Sequence, residues 1–228
     1  MKILGSLICS IFFMGSAVFA QDVQDVQDKN TEEQQEEQQA PIDWTKCFPG
    51  DIWFVVDVSG SMSEEVQYLS QAVSEVGQGI LANNGDAQAG IVLFNGGAKT
   101  ELKLTQDPED FVGLNFGSGG GTSAYQGFNE VLNADPNPIP RSEYYKMIFY
   151  MSDGEDGDVS SALFAAKGLK ATGFNIISIH YYTGKYDADA ASTKFMKEVS
   201  GNRFGEEFYF SSSVSELAEF MRNKFICM

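Results

Sequence analysis

Ile52-Trp53-Phe54-Val55-Val56 is an unbroken aromatic and β-branched run that stops at Asp57-Val58-Ser59-Gly60-Ser61. A strand with one wet face alternates apolar and polar residues; a strand without alternation is buried on both faces, as the central strand of a parallel sheet is. The run therefore demands helices on both sides of a sheet. It also places Asp57 at the strand's carboxyl end, where such sheets put their ligands. A carboxylate followed at i+2 and i+4 by hydroxyls offers three hard oxygen donors from one tight turn, a set suited to Mg²⁺, Mn²⁺ or Ca²⁺ and not to zinc. The same residues are also ordinary turn and helix-capping chemistry, so this stretch alone leaves both readings open.

The rest of the chain repeats the alternation of strand and helix. Residues 52–58 form the first strand. A helix follows from about Ser63, with Val66, Leu69, Val73, Val76 and Ile80 on one apolar face, Glu64 and Glu65 in its first turn, and Asn83-Asn84-Gly85 as its stop. Residues 89–94 read as a second buried strand. Gly96-Gly97 turns the chain into 99–105, where Leu102 and Leu104 point inward, an antiparallel strand at the sheet edge. A short helix at 107–110 leads to Gly117-Ser118-Gly119-Gly120-Gly121-Thr122-Ser123, whose glycines imply unusual backbone angles or close approach. A helix from about Ser123 runs through Phe128, Val131 and Leu132 to the prolines at 136–140. Residues 144–151 form a strand that ends in Ser152-Asp153-Gly154-Glu155, a second carboxylate at a strand end. Helices at 159–171, 190–200 and 213–225 and strands at 174–181 and 208–210 complete the pattern. The expected fold is α/β, a three-layer doubly wound Rossmann-like domain with a six-stranded, mostly parallel sheet, one antiparallel edge strand and helices on both faces.

The ends of the chain are of another kind. Residues 1–20 have the form of an export signal: Lys2 is the positive start, an apolar stretch follows, and Val18-Phe19-Ala20 provides the small residue for cleavage. Cys9 leaves with it. Residues 21–41, rich in Gln, Glu and Asp, carry seven carboxylates against Lys29 alone and no aromatic, the composition of a disordered, solvated spacer. The folded domain is expected over 42–228. Cys47 and Cys227 remain, an even pair in an exported chain, and a disulfide between them is expected. Closing so long a loop stabilises by about 5 kcal/mol in the chain-entropy model. With 15 Lys+Arg against 32 Asp+Glu, the protein has no basic patch for nucleic acid or anionic lipid. Neither nucleic acid nor membrane insertion after signal cleavage is expected.

Three separated segments carry a more specific signal. Asp57-x-Ser59-x-Ser61 after the first strand, Thr122 in the glycine-rich loop and Asp153 in Ser-Asp-Gly after the fourth strand stand in the order, and on the element ends, of a metal ion-dependent adhesion site. Over roughly 47–227 the chain resembles the von Willebrand factor type A family. The resemblance implies that Ser59 and Ser61 bind the ion directly, that Asp57 accepts from metal-bound water or holds the ion at close range, that Thr122 coordinates in the ligand-competent state, and that Asp153 acts through water. It implies a divalent cation, Mg²⁺ first with Ca²⁺ or Mn²⁺ as alternatives, and a last position filled by a partner's carboxylate. Hydroxyls neutralise little of a divalent charge, so the ion stays electrophilic enough for an acidic ligand to approach an acidic domain. The chain departs from the commonest pattern in having Glu155, Asp156 and Asp158 just after Asp153, either a solvated loop and helix start or a second ion site. An EF-hand register there fails at its glycine and glutamate positions.

Other chemistries find little footing. The glycine-rich loop has no lysine before its hydroxyl and is not a nucleotide P-loop. The single histidine, His180, near a strand end, reads as a packed or rim residue, and no Gly-x-Ser-x-Gly elbow accompanies it. A non-enzymatic role is expected. Met62, Asn95, Tyr125, Tyr181, Tyr182 and Tyr186 fall on loops at the same sheet end and are candidates for the surface that meets the ligand. The expected function is that of a secreted, periplasmic or cell-surface adhesion module. Its partner would present Asp or Glu, on a matrix protein or a surface structure; an assembly subunit of an envelope or fibre complex using the same site is the alternative.

Overall fold

The computed structural model describes residues 50–135, 145–154, 156–182, 190–203, 206–213 and 216–225. The expected signal, linker and Cys47–Cys227 pair lie outside them. In chain order the strands are β1 (Gly50–Asp57), β2 (Gln88–Phe94), β3 (Ala98–Thr105), β4 (Tyr145–Ser152), β5 (Phe174–Tyr182), β6 (Asn202–Arg203), β7 (Glu206–Glu207) and β8 (Tyr209–Ser213). The helices are α1 (Val66–Asn83), α2 (Ala124–Ala134), α3 (Val159–Ala171), α4 (Ala190–Ser200) and α5 (Leu217–Phe225).

Six strands form one sheet in the order β3-β2-β1-β4-β5-β8, while β6 and β7 make a separate two-residue hairpin ladder. Only β3 is antiparallel to its neighbour in the main sheet. Every position of β1 is buried, as a strand without polar alternation requires. Alternate residues serve opposite faces. Trp53 and Val55 join Phe94, Phe128, Tyr150 and Phe195 in a cluster that α2, α3 and α4 cover. Phe54 turns the other way, stacking on Phe149 at 5.4 Å and meeting Phe111 edge-on at 5.9 Å, beside α1. The apolar face expected of the first helix is buried at Val66, Leu69, Val73, Val76 and Ile80.

β3 shows the alternation of an edge strand: Leu102 and Leu104 are half-buried, and Lys99, Glu101 and Lys103 are exposed. Those charges discourage edge-to-edge association. At the amino end of β4, Lys146 and Asp135 form an ion pair with both side chains almost fully buried, and Lys146 also lies 5.0 Å over the Phe174 ring.

Several expected boundaries move. The first helix begins at Val66, because Gly60–Met62 form a 3₁₀ turn closed by Met62 N–H to the Ser59 carbonyl at 3.1 Å. Glu64 and Glu65 thus precede the helix. The short helix after Asp107 is a 3₁₀ turn, Pro108–Phe111, capped by the Asp107 side chain. Of the apolar residues that its helix runs through, Phe128 and Val131 are fully buried and Leu132 is 42 % exposed.

Candidate metal centre

The chain passes from β1 through β2 to β3 on one side and then returns to β4 on the other, so the strand order reverses between β1 and β4. A crevice opens at such a switch point, at the carboxyl ends of the strands. Asp57 ends β1 there and Asp153 follows β4.

Both oxygens of Asp57 are engaged. Oδ1 accepts from the Ser59 backbone N–H at 2.9 Å, and Oδ2 accepts from the Ser152 hydroxyl at 2.8 Å. Ser152 Oγ accepts in turn from Gly154 N–H at 3.0 Å, tying the loop after β4 to the carboxylate after β1. Ser59 is 1 % exposed and its Oγ lies 3.0 Å from that of exposed Ser61, one hydroxyl deep and one at the mouth.

The glycine-rich loop closes on the same turn. Gly119 N–H donates to the Val58 carbonyl at 2.9 Å, and Gly60 N–H donates to the Gly120 carbonyl at 3.1 Å. Gly120 has φ +82°, and a Cβ there would stand 3.4 Å from the Asn95 amide, so the loop's close approach depends on its glycine. Asn95 Nδ2 donates to the Gly119 carbonyl at 2.9 Å. Two residues beyond Gly120, Thr122 is half-buried, and its carbonyl accepts from Gly157 N–H at 3.3 Å. The structure therefore brings the segments of Asp57, Ser59, Ser61, Thr122 and Asp153 to one crevice.

Burial first, and the neighbouring charge of Asp153 second, push the Asp57 carboxyl from 3.8 up to about 7, against the lowering effect of its hydrogen bonds. Two neighbouring carboxylates and a pair of hydroxyls make a hard-oxygen donor set, and a divalent cation would offset the repulsion directly. Among the described residues no group of three or more His, Cys, Asp or Glu side chains gathers around a point, so the donors here rely on hydroxyls. The residues fit the ion that their spacing implies.

Two of the candidate ligand-surface residues do not lie on a surface. Met62 and Tyr181 are both 0 % exposed. Met62 is drawn inward by the 3₁₀ turn, and Tyr181 lies inside the sheet because β5 extends through Tyr182. Tyr125 is half-buried against the core, and Asn95 braces the glycine loop. For Tyr182 only the backbone is described, and Tyr186 lies outside the described residues.

Four residues gain roles that motif spacing does not carry. Ser152 joins the two loops. His180, 1 % exposed, lies 2.8 Å from the Asp153 carbonyl through Nε2 and 2.9 Å from the Tyr209 hydroxyl through Nδ1. A carbonyl only accepts, so Nε2 carries the proton. Asp156 accepts from Ala124 N–H at 2.7 Å and from Asp158 N–H at 2.6 Å, and Asp158 caps α3 through Ser161 N–H at 3.1 Å. Asp156 and Asp158 thus serve helix starts; Glu155 lies outside the described residues. The available signal was their place immediately before an amphipathic segment, but a cap on a distant helix leaves no local pattern.

A doubly wound sheet with hydroxyl-bearing loops meeting a buried carboxylate at its switch point defines an α/β domain with an oxygen-lined crevice. A family-wide sequence model for the von Willebrand factor type A domain matches residues 51–223, and the chain belongs to that family. Comparison with curated proteins gave no match. Among solved structures, proximal thread matrix protein 1 from the mussel byssus, with its MIDAS motif occupied by zinc, is 21 % identical over 78 % of this chain and 47 % of that one, with a TM-score of 0.64. The pilus adhesin SpaC from Lactobacillus rhamnosus GG, in an open conformation, is 18 % identical over 82 % of this chain and 30 % of that one, with a TM-score of 0.60. The corresponding domain of the type V pili tip protein Mfa5 from Porphyromonas gingivalis is 14 % identical over 78 % and 94 %, with a TM-score of 0.60. At these identities the likeness is one of fold, and this chain spans about half the length of the mussel protein.

Proposed function

We propose that this protein is a secreted or surface-exposed binding domain that holds a divalent cation at Asp57, Ser59, Ser61, Thr122 and Asp153 and uses it to capture an Asp or Glu side chain of a partner protein. The observation that carries the proposal is the pair of Ser59 and Ser61 hydroxyls, 3.0 Å apart, above a buried carboxylate already held by Ser59 and Ser152. Bound there, the cation supplies Lewis acidity toward an incoming carboxylate. The chain's part is to fix its donors and to keep their charge low. Mg²⁺ suits hydroxyl and water ligands, with Ca²⁺ and Mn²⁺ as alternatives; zinc in the mussel structure argues for testing it as well. The role is binding without catalysis: the single histidine is buried, with both ring nitrogens close to partners. Among the described residues no helix is long and apolar enough to cross a membrane.

The test is capture of an acidic peptide library, or of partners from the native extracellular surface, with Mg²⁺, with EDTA, and by Asp57→Ala. Loss of capture in the last two conditions is expected; capture unchanged in both refutes the mechanism. A second reading, a permanent assembly subunit of a fibre or envelope structure, draws support from similarity to a byssal matrix protein and a pilus tip protein. Co-purification that survives both high salt and EDTA favours it.

A further inference from the structure

We infer that Asp156 is a positioning residue of the ion crevice: a latch that holds the Thr122 loop against the Asp153 loop and so sets the affinity for the cation without ligating it. The inference rests on the cation-binding reading above and extends it to a residue outside the motif. Three observations converge. First, the start of α2 lacks a cap of its own, since the Ser123 side chain makes no capping bond. The exposed N–H groups of a helix's first turn need acceptors. Asp156 Oδ2 supplies one in trans, taking Ala124 N–H at 2.7 Å across 32 residues of sequence. Second, Asp156 Oδ1 takes Asp158 N–H at 2.6 Å, so the carboxylate has its other oxygen committed to its own loop and cannot swing freely. Third, the next residue closes a second tie between the same loops, Gly157 N–H to the Thr122 carbonyl at 3.3 Å. Thr122 itself carries one of these ties and stands two residues from the other.

The same loop is anchored on its Asp153 side by the His180 contact at 2.8 Å and by Gly154 N–H to Ser152 at 3.0 Å. Asp153 is therefore held against β5 and Asp57, and Asp156 passes that fixed position on to Thr122. A hydroxyl donor is a weak ligand that gives up affinity readily when its loop wanders, and removing supports behind metal ligands typically costs 10–100-fold in affinity.

The experiment uses the full chain and Mg²⁺ alone, titrated calorimetrically, beside thermal unfolding in EDTA and hydrogen exchange of the Ala124 amide. Asp156→Ala is expected to weaken Mg²⁺ binding by about 10–100-fold and to speed Ala124 exchange. Asp156→Asn, which retains one carbonyl acceptor, should fall between it and the parent. Asp158→Ala, which removes a cap of α3 but leaves the latch, should lower the unfolding temperature in EDTA with affinity within about twofold of the parent. If Asp156→Ala binds Mg²⁺ as the parent does while its unfolding temperature in EDTA drops, Asp156 is only a helix cap and the inference is overturned. If the parent itself binds no Mg²⁺, the cation reading fails, and the latch function with it.

Discussion

Asp57 shows how one side chain is set in opposition to its surroundings. Burial and Asp153 push its carboxyl from 3.8 to about 7 in the folded, metal-free domain. The folded state thus keeps a proton that the unfolded chain releases at lower pH. This contribution to stability is complete below about pH 4 and is lost as pH rises through about 7, a total of roughly 4 kcal/mol. Asp57→Asn should flatten that dependence and leave the metal-free variant more stable than the parent at pH 8, as read by chemical denaturation in EDTA. A variant curve that falls as steeply as the parent's between pH 4 and 7 contradicts the account. The turn that gathers Asp57, Ser59 and Ser61 was legible in the sequence because the three residues stand within five positions. His180 and Asp156 were not, since each acts on a group 27 or 32 residues away.

At the scale of elements, the helices are held by contacts that periodicity foresees only in part. The apolar stripe of α1 announces its buried face, but the closest fit along it is at a glycine. A Cβ on Gly77 would stand 2.2 Å from the Phe111 ring, itself fully buried beside Phe54. Alanine in place of glycine inside a helix normally gains about 1 kcal/mol in propensity. Here it meets a ring with no free space, and overpacking costs roughly 1–3 kcal/mol. Gly77→Ala should therefore destabilise the domain on balance, a loss that Phe111→Leu in the same chain should partly relieve. Urea denaturation of the two variants checks this, and a single variant more stable than the parent excludes so tight a fit. Ser70 belongs to the same helix: its hydroxyl donates to the Val66 carbonyl and accepts from Phe116 N–H, each at 2.9 Å, pinning the chain just before the glycine-rich loop.

For the whole molecule, the strand order brings separated local motifs to one crevice. With the cation bound only to the folded state, stability rises by about 2.7 kcal/mol at a free concentration 100 times Kd. For a domain of this size each kcal/mol moves the midpoint by about 2–4 °C, so saturating Mg²⁺ should raise it by roughly 5–10 °C. EDTA should reverse the shift, and Asp57→Ala should abolish it. Differential scanning calorimetry reads this directly; an equal shift in parent and variant would place the ion elsewhere.

By itself the sequence determined the fold class, the burial of β1 on both faces and the antiparallel edge at β3, because strand burial and alternation are local properties. It could not decide which tyrosines face outward. Tyr181, a candidate for the ligand surface, is closed off inside the sheet because β5 runs one step further, through Tyr182. Nor could it decide what holds the donors in place. Ser152 reaches Asp57 across 95 residues and Asp156 reaches α2 across 32, and such bonds exist only once β4 lies beside β1. The crevice is therefore a product of strand order, which long-range packing selects and no single stretch of the chain encodes.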